Sequence, residues 1–151
     1  MIEGKKAKNF CLQNQDDEKV CLNDIKEKVV LYFYPKNNTP GCTLEAKQFT
    51  DLAKEFEKEK VRVIGVSKDT VVSHKKFCDK HKLSITLLSD PEFEIHKMFE
   101  AAGDKKFMGR KYYGTIRSTV LIDENKYVIK HWPKVSPIRH AKKVLEFVRE
   151  N

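Results

Sequence analysis

The chain predicts one α/β domain over residues 1–151: a mixed central β-sheet with helices on both faces, preceded by an N-terminal β-hairpin. Three observations lead there. Short apolar runs at 29–34 and 61–67 are too continuous for strands wet on one side, so they fit a parallel sheet covered on both faces. Segments with apolar residues at three- and four-residue spacing alternate with those runs, which is the signature of parallel strands linked by helices. Two late runs, 118–123 and 127–131, flank Glu124-Asn125-Lys126 and read as an antiparallel hairpin at one edge.

In order, residues 9–22 (NFCLQNQDDEKVCL) place two apolar pieces around a polar turn at 13–18, a hairpin with Cys11 and Cys21 on its two arms. Both cysteines read as small, half-buried strand residues. Val29 to Tyr34 is the first buried strand. It breaks at Pro35, crosses Lys36, Asn37 and Asn38, and closes on Thr39-Pro40-Gly41-Cys42. Beyond Cys42, the residues Phe49, Leu52, Ala53 and Phe56 form one helical face running to about Lys60. Thr39 and Pro40 suit a helix start, one as a cap and the other because it lacks an amide that would go unpaired. VRVIGVS at 61–67 is a second buried strand. Asp69 can cap the following helix, about 70–82, which carries Cys78. SITLLS at 84–89 is a third strand, and 93–101 a short helix with Ile95, Met98 and Phe99 on one face. Residues 103–114 read as a basic, glycine-bearing loop. The last helix, about 138–149, repeats Ala141, Val144, Leu145 and Val148.

Composition narrows the function. A length of 151 residues suffices for a real core. No run approaches the ~20 apolar residues of a membrane span. MIEGKKAKNF has no apolar core of a leader peptide, so a cytoplasmic protein is expected. Thirty Lys+Arg against 22 Asp+Glu leave a charge of +8. The lysines are scattered from Lys5 to Lys143 without a nucleic-acid motif, so a solvated basic surface is the preferred reading, one that can steer an acidic partner. The cysteines at 11, 21, 42 and 78 include no C-x-x-C pair, which argues against a zinc ribbon and a thioredoxin-type dithiol. In a reducing compartment they are expected to be reactive or simply buried rather than stapled.

Cys42 holds the place with chemical promise. A buried strand delivers it to the first turn of a helix, where the helix dipole and unpaired amides favour a thiolate. The Thr39 hydroxyl and the amides of Gly41 and Cys42 can point into the same pocket. Such a pocket suits two adjacent oxygens, and hence thiolate attack on a weak O–O bond. From this placement alone, a reactive thiolate and an inert buried thiol remain equally open.

The run PKNNTPGC contains Pro35-x-x-x-Thr39-x-x-Cys42, with Glu45 three residues further on. This resembles the active-site signature of the peroxiredoxins, thiol peroxidases on a thioredoxin-like fold. The wider phrase YFYPKNNTPGCTLEA is similar to the bacterioferritin comigratory protein (PrxQ) subgroup. The likeness continues through VIGVSKD at 63–69, ITLLSD at 85–90, FMGRKYYG at 107–114 and R-S-T-x-L-I-D at 117–123, nearly the whole chain. It implies Cys42 as the peroxidatic nucleophile and Thr39 as the residue that orients the peroxide. It implies Arg117 as the cation beside sulfur and peroxide, with Arg110 the competitor, and Glu45 as the group holding that arginine. Pro35 would shape the loop and keep water off the sulfur. Many members carry a second cysteine five residues after the first, where this chain has Lys47. Others place it after an H-x-x-F phrase, and His74-Lys75-Lys76-Phe77-Cys78 matches that pattern, so the resemblance implies Cys78 as the resolving cysteine.

The implied reaction reduces hydrogen peroxide or organic hydroperoxides through a Cys42 sulfenic acid. A Cys42–Cys78 disulfide follows, which thioredoxin or a similar dithiol reductant reopens. Two cysteines on separate helices must come within about 7 Å between Cα atoms, so local unwinding is expected. No metal, haem or flavin is called for. A metal site at His74, Cys78 and His81 is conceivable by their spacing, but solvated histidines beside a redox cysteine are the preferred reading. A monomer is expected, with a dimer the alternative. Three alternatives stand beside this reading: a one-cysteine peroxidase, a non-catalytic thiol redox sensor, and a basic nucleic-acid-binding module.

Overall fold

The computed structural model describes residues 2–151. Strands β1 (Cys11–Gln13) and β2 (Lys19–Cys21) form the expected N-terminal hairpin. Strands β3 (Lys28–Phe33), β4 (Val61–Ser67), β5 (Thr86–Ser89), β8 (Ser118–Ile122) and β9 (Val128–Trp132) form a five-stranded sheet in the order β5-β4-β3-β8-β9. The first three are parallel, and β8 and β9 are antiparallel to their neighbours, so the sheet is mixed. β6 (Ala102–Phe107) and β7 (Arg110–Thr115) pair separately. The helices are α1 (Pro40–Asp51), α2 (Ala53–Lys58), α3 (Val71–His81), α4 (Glu94–Met98) and α5 (His140–Glu150).

Alternation along β3 divides the core between the two sheet faces. Val30, Tyr32 and Tyr34 lie in one buried cluster with Phe49, Phe77, Val144 and both Cys42 and Cys78. Val29, Leu31 and Phe33 lie in the other with Phe10, Leu22, Ile95 and Phe99. Gly65 of β4 is required by the first cluster: a Cβ there would come within 2.7 Å of the Tyr32 ring and 2.8 Å of Leu87.

The structure departs from the sequence reading in four places. Residues 103–114 are a hairpin, not a loop. Met108 (φ 50°) and Gly109 (φ 81°) are both left-handed, which matches the turn a two-residue hairpin needs. The helix after Cys42 is interrupted at Leu52 (φ −98°, ψ 4°), although Phe49 and Phe56 on either side stay on one buried face. Thr70, not Asp69, caps α3, its hydroxyl accepting the Ser73 amide at 3.1 Å. Cys11 and Cys21 are joined by a disulfide. They sit directly opposite one another in the hairpin, where side chains approach most closely, so the expectation of unstapled cysteines fails for this pair.

Candidate active site

Parallel strands present their C-terminal ends together, and β3 ends there at Phe33. Tyr34 to Asn38 then lead into α1, with Thr39 as its N-cap and Cys42 in the first turn. The first amides of a helix have no carbonyl one turn back, so they face the end where Cys42 sits. The Thr39 side chain does not cap: its hydroxyl donates to the Lys36 carbonyl at 3.0 Å, leaving the oxygen lone pairs to accept.

Arg117 arrives from 75 residues away in sequence. β8 pairs antiparallel with β3 so that Ser118 lies opposite Phe33. The residue before Ser118 therefore stands beside the strand end from which the cysteine loop departs. Its Nη2 donates to Cys42 Sγ at 3.3 Å, and its Nη1 donates to Glu45 Oε1 at 2.7 Å. Its carbonyl accepts the Val135 amide at 2.9 Å, which ties the segment after β9 over the site. A Cβ on Gly41 would stand 3.3 Å from Pro137 Cγ and 3.4 Å from Arg117 Nη2, so glycine lets Pro137 pack closely beside the guanidinium. Arg110 is exposed at the far end of the β6–β7 hairpin, next to its turn.

Electrostatics follow from burial. Cys42 is 1% exposed and the Arg117 side chain 16%, so the arginine is the more open of the two. Glu45 is buried, and this lifts its carboxyl to about 7 although Arg117 pulls the other way. Burial alone would lower Arg117, but Glu45 and Cys42 outweigh it and hold the guanidinium above its ordinary range.

Cys78 is a free, buried thiol on α3, in the same core cluster as Cys42. Burial, then Asp79 and Asp16, push it up to about 11, with Lys75 opposing. The residues that sequence reasoning missed join the two segments. The Asn37 amide donates to Asp69 Oδ2 at 2.9 Å. Asn37 Nδ2 donates to His74 Nδ1 at 3.0 Å and to Ser73 Oγ at 3.1 Å. Tyr34 donates to Asn37 Oδ1 at 2.7 Å, and His74 Nε2 donates to the Leu88 carbonyl at 3.0 Å. Burial lowers His74, which agrees with a neutral ring using one nitrogen to accept and the other to donate. The H-x-x-F-C pattern and the spacing to Cys78 and His81 pointed to His74, though not to this contact, and nothing in the sequence pointed to Asn37.

His74 is buried rather than solvated as expected, and with both ring nitrogens engaged it does not form a ligand set with Cys78 and His81. Among the described residues, no group of three or more metal-ligating side chains could hold an ion. Pro35, half-buried, opens the loop, and Lys47 is exposed on α1.

The AhpC/TSA family model matches residues 3–131. Peroxiredoxin Bcp of Bacillus subtilis is 41% identical over 148 residues, covering 97% of this chain and 94% of its own. The structure of a PrxQ cysteine-to-serine variant from Xylella fastidiosa superposes with a TM-score of 0.94 at 33% identity, over 99% of this chain and 96% of that one. A Xanthomonas campestris bacterioferritin comigratory protein, whose structures were determined to examine its alkyl peroxide reduction activity, superposes with a TM-score of 0.89 at 32% identity. It covers 93% of this chain and 90% of that one. With a family model spanning most of its length and such relatives from end to end, the chain belongs to the AhpC/TSA family as a peroxiredoxin of the Bcp/PrxQ group, a thiol peroxidase on a thioredoxin-like fold.

Proposed function

We propose that residues 1–151 act as one catalytic unit in which Cys42 is the peroxidatic cysteine. The observation that carries this is the guanidinium of Arg117, 3.3 Å from Cys42 Sγ and held by Glu45 at 2.7 Å. A peroxide entering past Arg117 would place one oxygen at the sulfur. The other would meet the guanidinium and the helix-start amides, with the Thr39 hydroxyl orienting the pair. The Cys42 thiolate attacks the near oxygen, the O–O bond breaks, and the far oxygen leaves as water or alcohol after taking a proton. Arg117 stabilises the charge that develops, and Gly41 keeps room for it. Pro35 shields the pocket.

Cys42 sulfenic acid then condenses with Cys78, releasing water and forming an intramolecular disulfide. A thiol held up to about 11 is a poor nucleophile inside the core. Unwinding α3 brings Cys78 into water, where its thiolate forms more readily. A dithiol protein of the thioredoxin type restores both thiols. Hydrogen peroxide and organic hydroperoxides are the substrates, the latter in keeping with the alkyl peroxide reduction named for the Xanthomonas relative. The protein works in the cytoplasm as a monomer.

Burial of Cys78 favours one second reading, in which Cys78 stays in the core and an external thiol resolves the sulfenic acid directly. Intact mass after one equivalent of peroxide separates the two. Wild type pre-reduced at every cysteine should lose two hydrogens to a Cys42–Cys78 link, located by peptide mapping. Cys78→Ser should hold Cys42 as a sulfenic or over-oxidised acid. A wild type that accumulates sulfenic acid without the link is a one-cysteine enzyme.

A further inference from the structure

The hairpin disulfide lies apart from this chemistry. Leu12 and Val20 turn inward onto the core cluster that contains Phe10 and Leu22. By alternation Cys11, Gln13, Lys19 and Cys21 share the outward face. Cys11 is exposed and Cys21 half-buried. Cys42 and Cys78 belong to the cluster on the other side of the sheet.

Nor does the hairpin depend on the bond for closure. Its ladder is closed on both sides of the pair, by the Leu22 amide on the Phe10 carbonyl at 2.9 Å and the Asn14 amide on the Glu18 carbonyl at 2.9 Å. The tip is anchored independently: the Gln15 side chain donates to the Ile85 carbonyl at 3.1 Å and accepts the Leu87 amide at 3.0 Å. Opening the disulfide therefore leaves the hairpin in place, with two thiols facing each other across adjacent strands, ready to close again. An exposed sulfur at Cys11 gives an incoming thiolate a line of attack. Lys19, two residues from Cys21 on the same face, favours Cys21 as the departing thiolate.

We propose that Cys11–Cys21 is a second two-electron redox centre, a surface disulfide that exchanges with a dithiol protein reductant independently of Cys42. In the reducing direction, the reductant's thiolate attacks Cys11 Sγ and the Cys11–Cys21 bond breaks. The reductant's second thiol then releases Cys11, leaving two thiols here and one disulfide on the reductant. In the oxidising direction, the enzyme's own substrate suffices. The Cys11 thiolate takes one oxygen of hydrogen peroxide to become a sulfenic acid, and Cys21 displaces that oxygen as water. The Arg117 guanidinium stands at Cys42 and so cannot serve this pair, which makes closure slower than oxidation at Cys42, and the pair closes when peroxide outlasts the main site.

The test uses the full chain carrying Cys42→Ser and Cys78→Ser, so it does not depend on the catalytic roles proposed above. With thioredoxin, its reductase and NADPH, this variant should consume one NADPH per chain and gain two hydrogens in mass. Excess hydrogen peroxide should remove them again and allow a second equivalent of NADPH to be consumed. A variant lacking all four cysteines should consume none. A disulfide that resists thioredoxin and opens only after denaturation, or a dithiol that peroxide fails to close, overturns the proposal. Cys11→Ser/Cys21→Ser should keep peroxide turnover within about twofold of wild type. Loss of turnover would place the pair inside the catalytic cycle and overturn its independence.

Discussion

Gly41 and Arg117 carry the sharpest residue-level consequence. Arg117→Ala should slow peroxide consumption by about 10²–10³-fold, the usual effect of removing one preorganised donor, with the fold intact by circular dichroism. Gly41→Ala should slow it too, though less. Its Cβ would crowd Pro137 Cγ at 3.3 Å and only touch the guanidinium at 3.4 Å, so the loss should be small and appear in rate and not in melting temperature. A near-normal rate in Arg117→Ala would remove Arg117 from the peroxide step. Glu45 contributes through pH. Its carboxyl is raised to about 7 in the fold and returns to the ordinary carboxylate range on unfolding. A raised acid stabilises the fold fully below its unfolded value and loses that contribution as pH rises through about 7. His140, lowered to about 4 by burial and then by Lys143 and Arg117, works oppositely: its contribution is present above about 6.5 and lost as pH falls. In urea titrations between pH 4.5 and 7, Glu45→Gln should therefore gain stability with pH more steeply than wild type. Cys42 could be read from its own neighbourhood, because a strand end and a helix start are local signals. Arg117 could not, because a β8 register places it there, and only the resemblance named it.

In the cycle proposed above, α3 carries the second half, since Cys78 lies on it. Thr70 caps it at one end, and Lys82 closes it in the left-handed conformation at the other (φ 53°). Thr70→Ala should cost about 1 kcal/mol of stability. If α3 must open for Cys78 to meet Cys42, the same change should speed disulfide formation after a peroxide pulse by up to about fivefold. Stopped-flow tryptophan fluorescence of Trp132 can follow the step. An unchanged rate would show that the opening of α3 does not limit it. Most elements were legible because apolar periodicity is strong in a two-faced sheet, and 61–67 matches β4 from end to end. β6 and β7 were not. Their strands carry Asp104, Lys105, Lys106, Arg110 and Lys111, and their turn is Met-Gly, which lacks the usual Asn-Gly or Asp-Gly signal. The hairpin disulfide was missed because an expected compartment, which says nothing about a particular pair, outweighed the register that sets Cys11 opposite Cys21.

Across the whole molecule, the two cysteines of the cycle start on different helices packed on one sheet face. The contact of Asn37 with Ser73 and His74 spans the gap between their segments, one end in the loop before α1 and the other in the first turn of α3. Neither end can move far without leaving a buried polar group unpaired, at a cost of about 1–3 kcal/mol. The two segments should thus open as one unit. In hydrogen exchange, amides of 37–44 and 74–80 should exchange with a common opening rate in wild type and with separate rates in Asn37→Ala. Separate rates in wild type would break the link. In the proposed cycle the contact would work as a timer. A peroxide that ordered the loop around Cys42 would also keep α3 wound and Cys78 out of reach, and the spent, sulfenic state would leave the loop free to let go. A fold with this interlock would put its chemical steps in order without any sensor of its own, and weakening Asn37 would cost sequence before it cost speed.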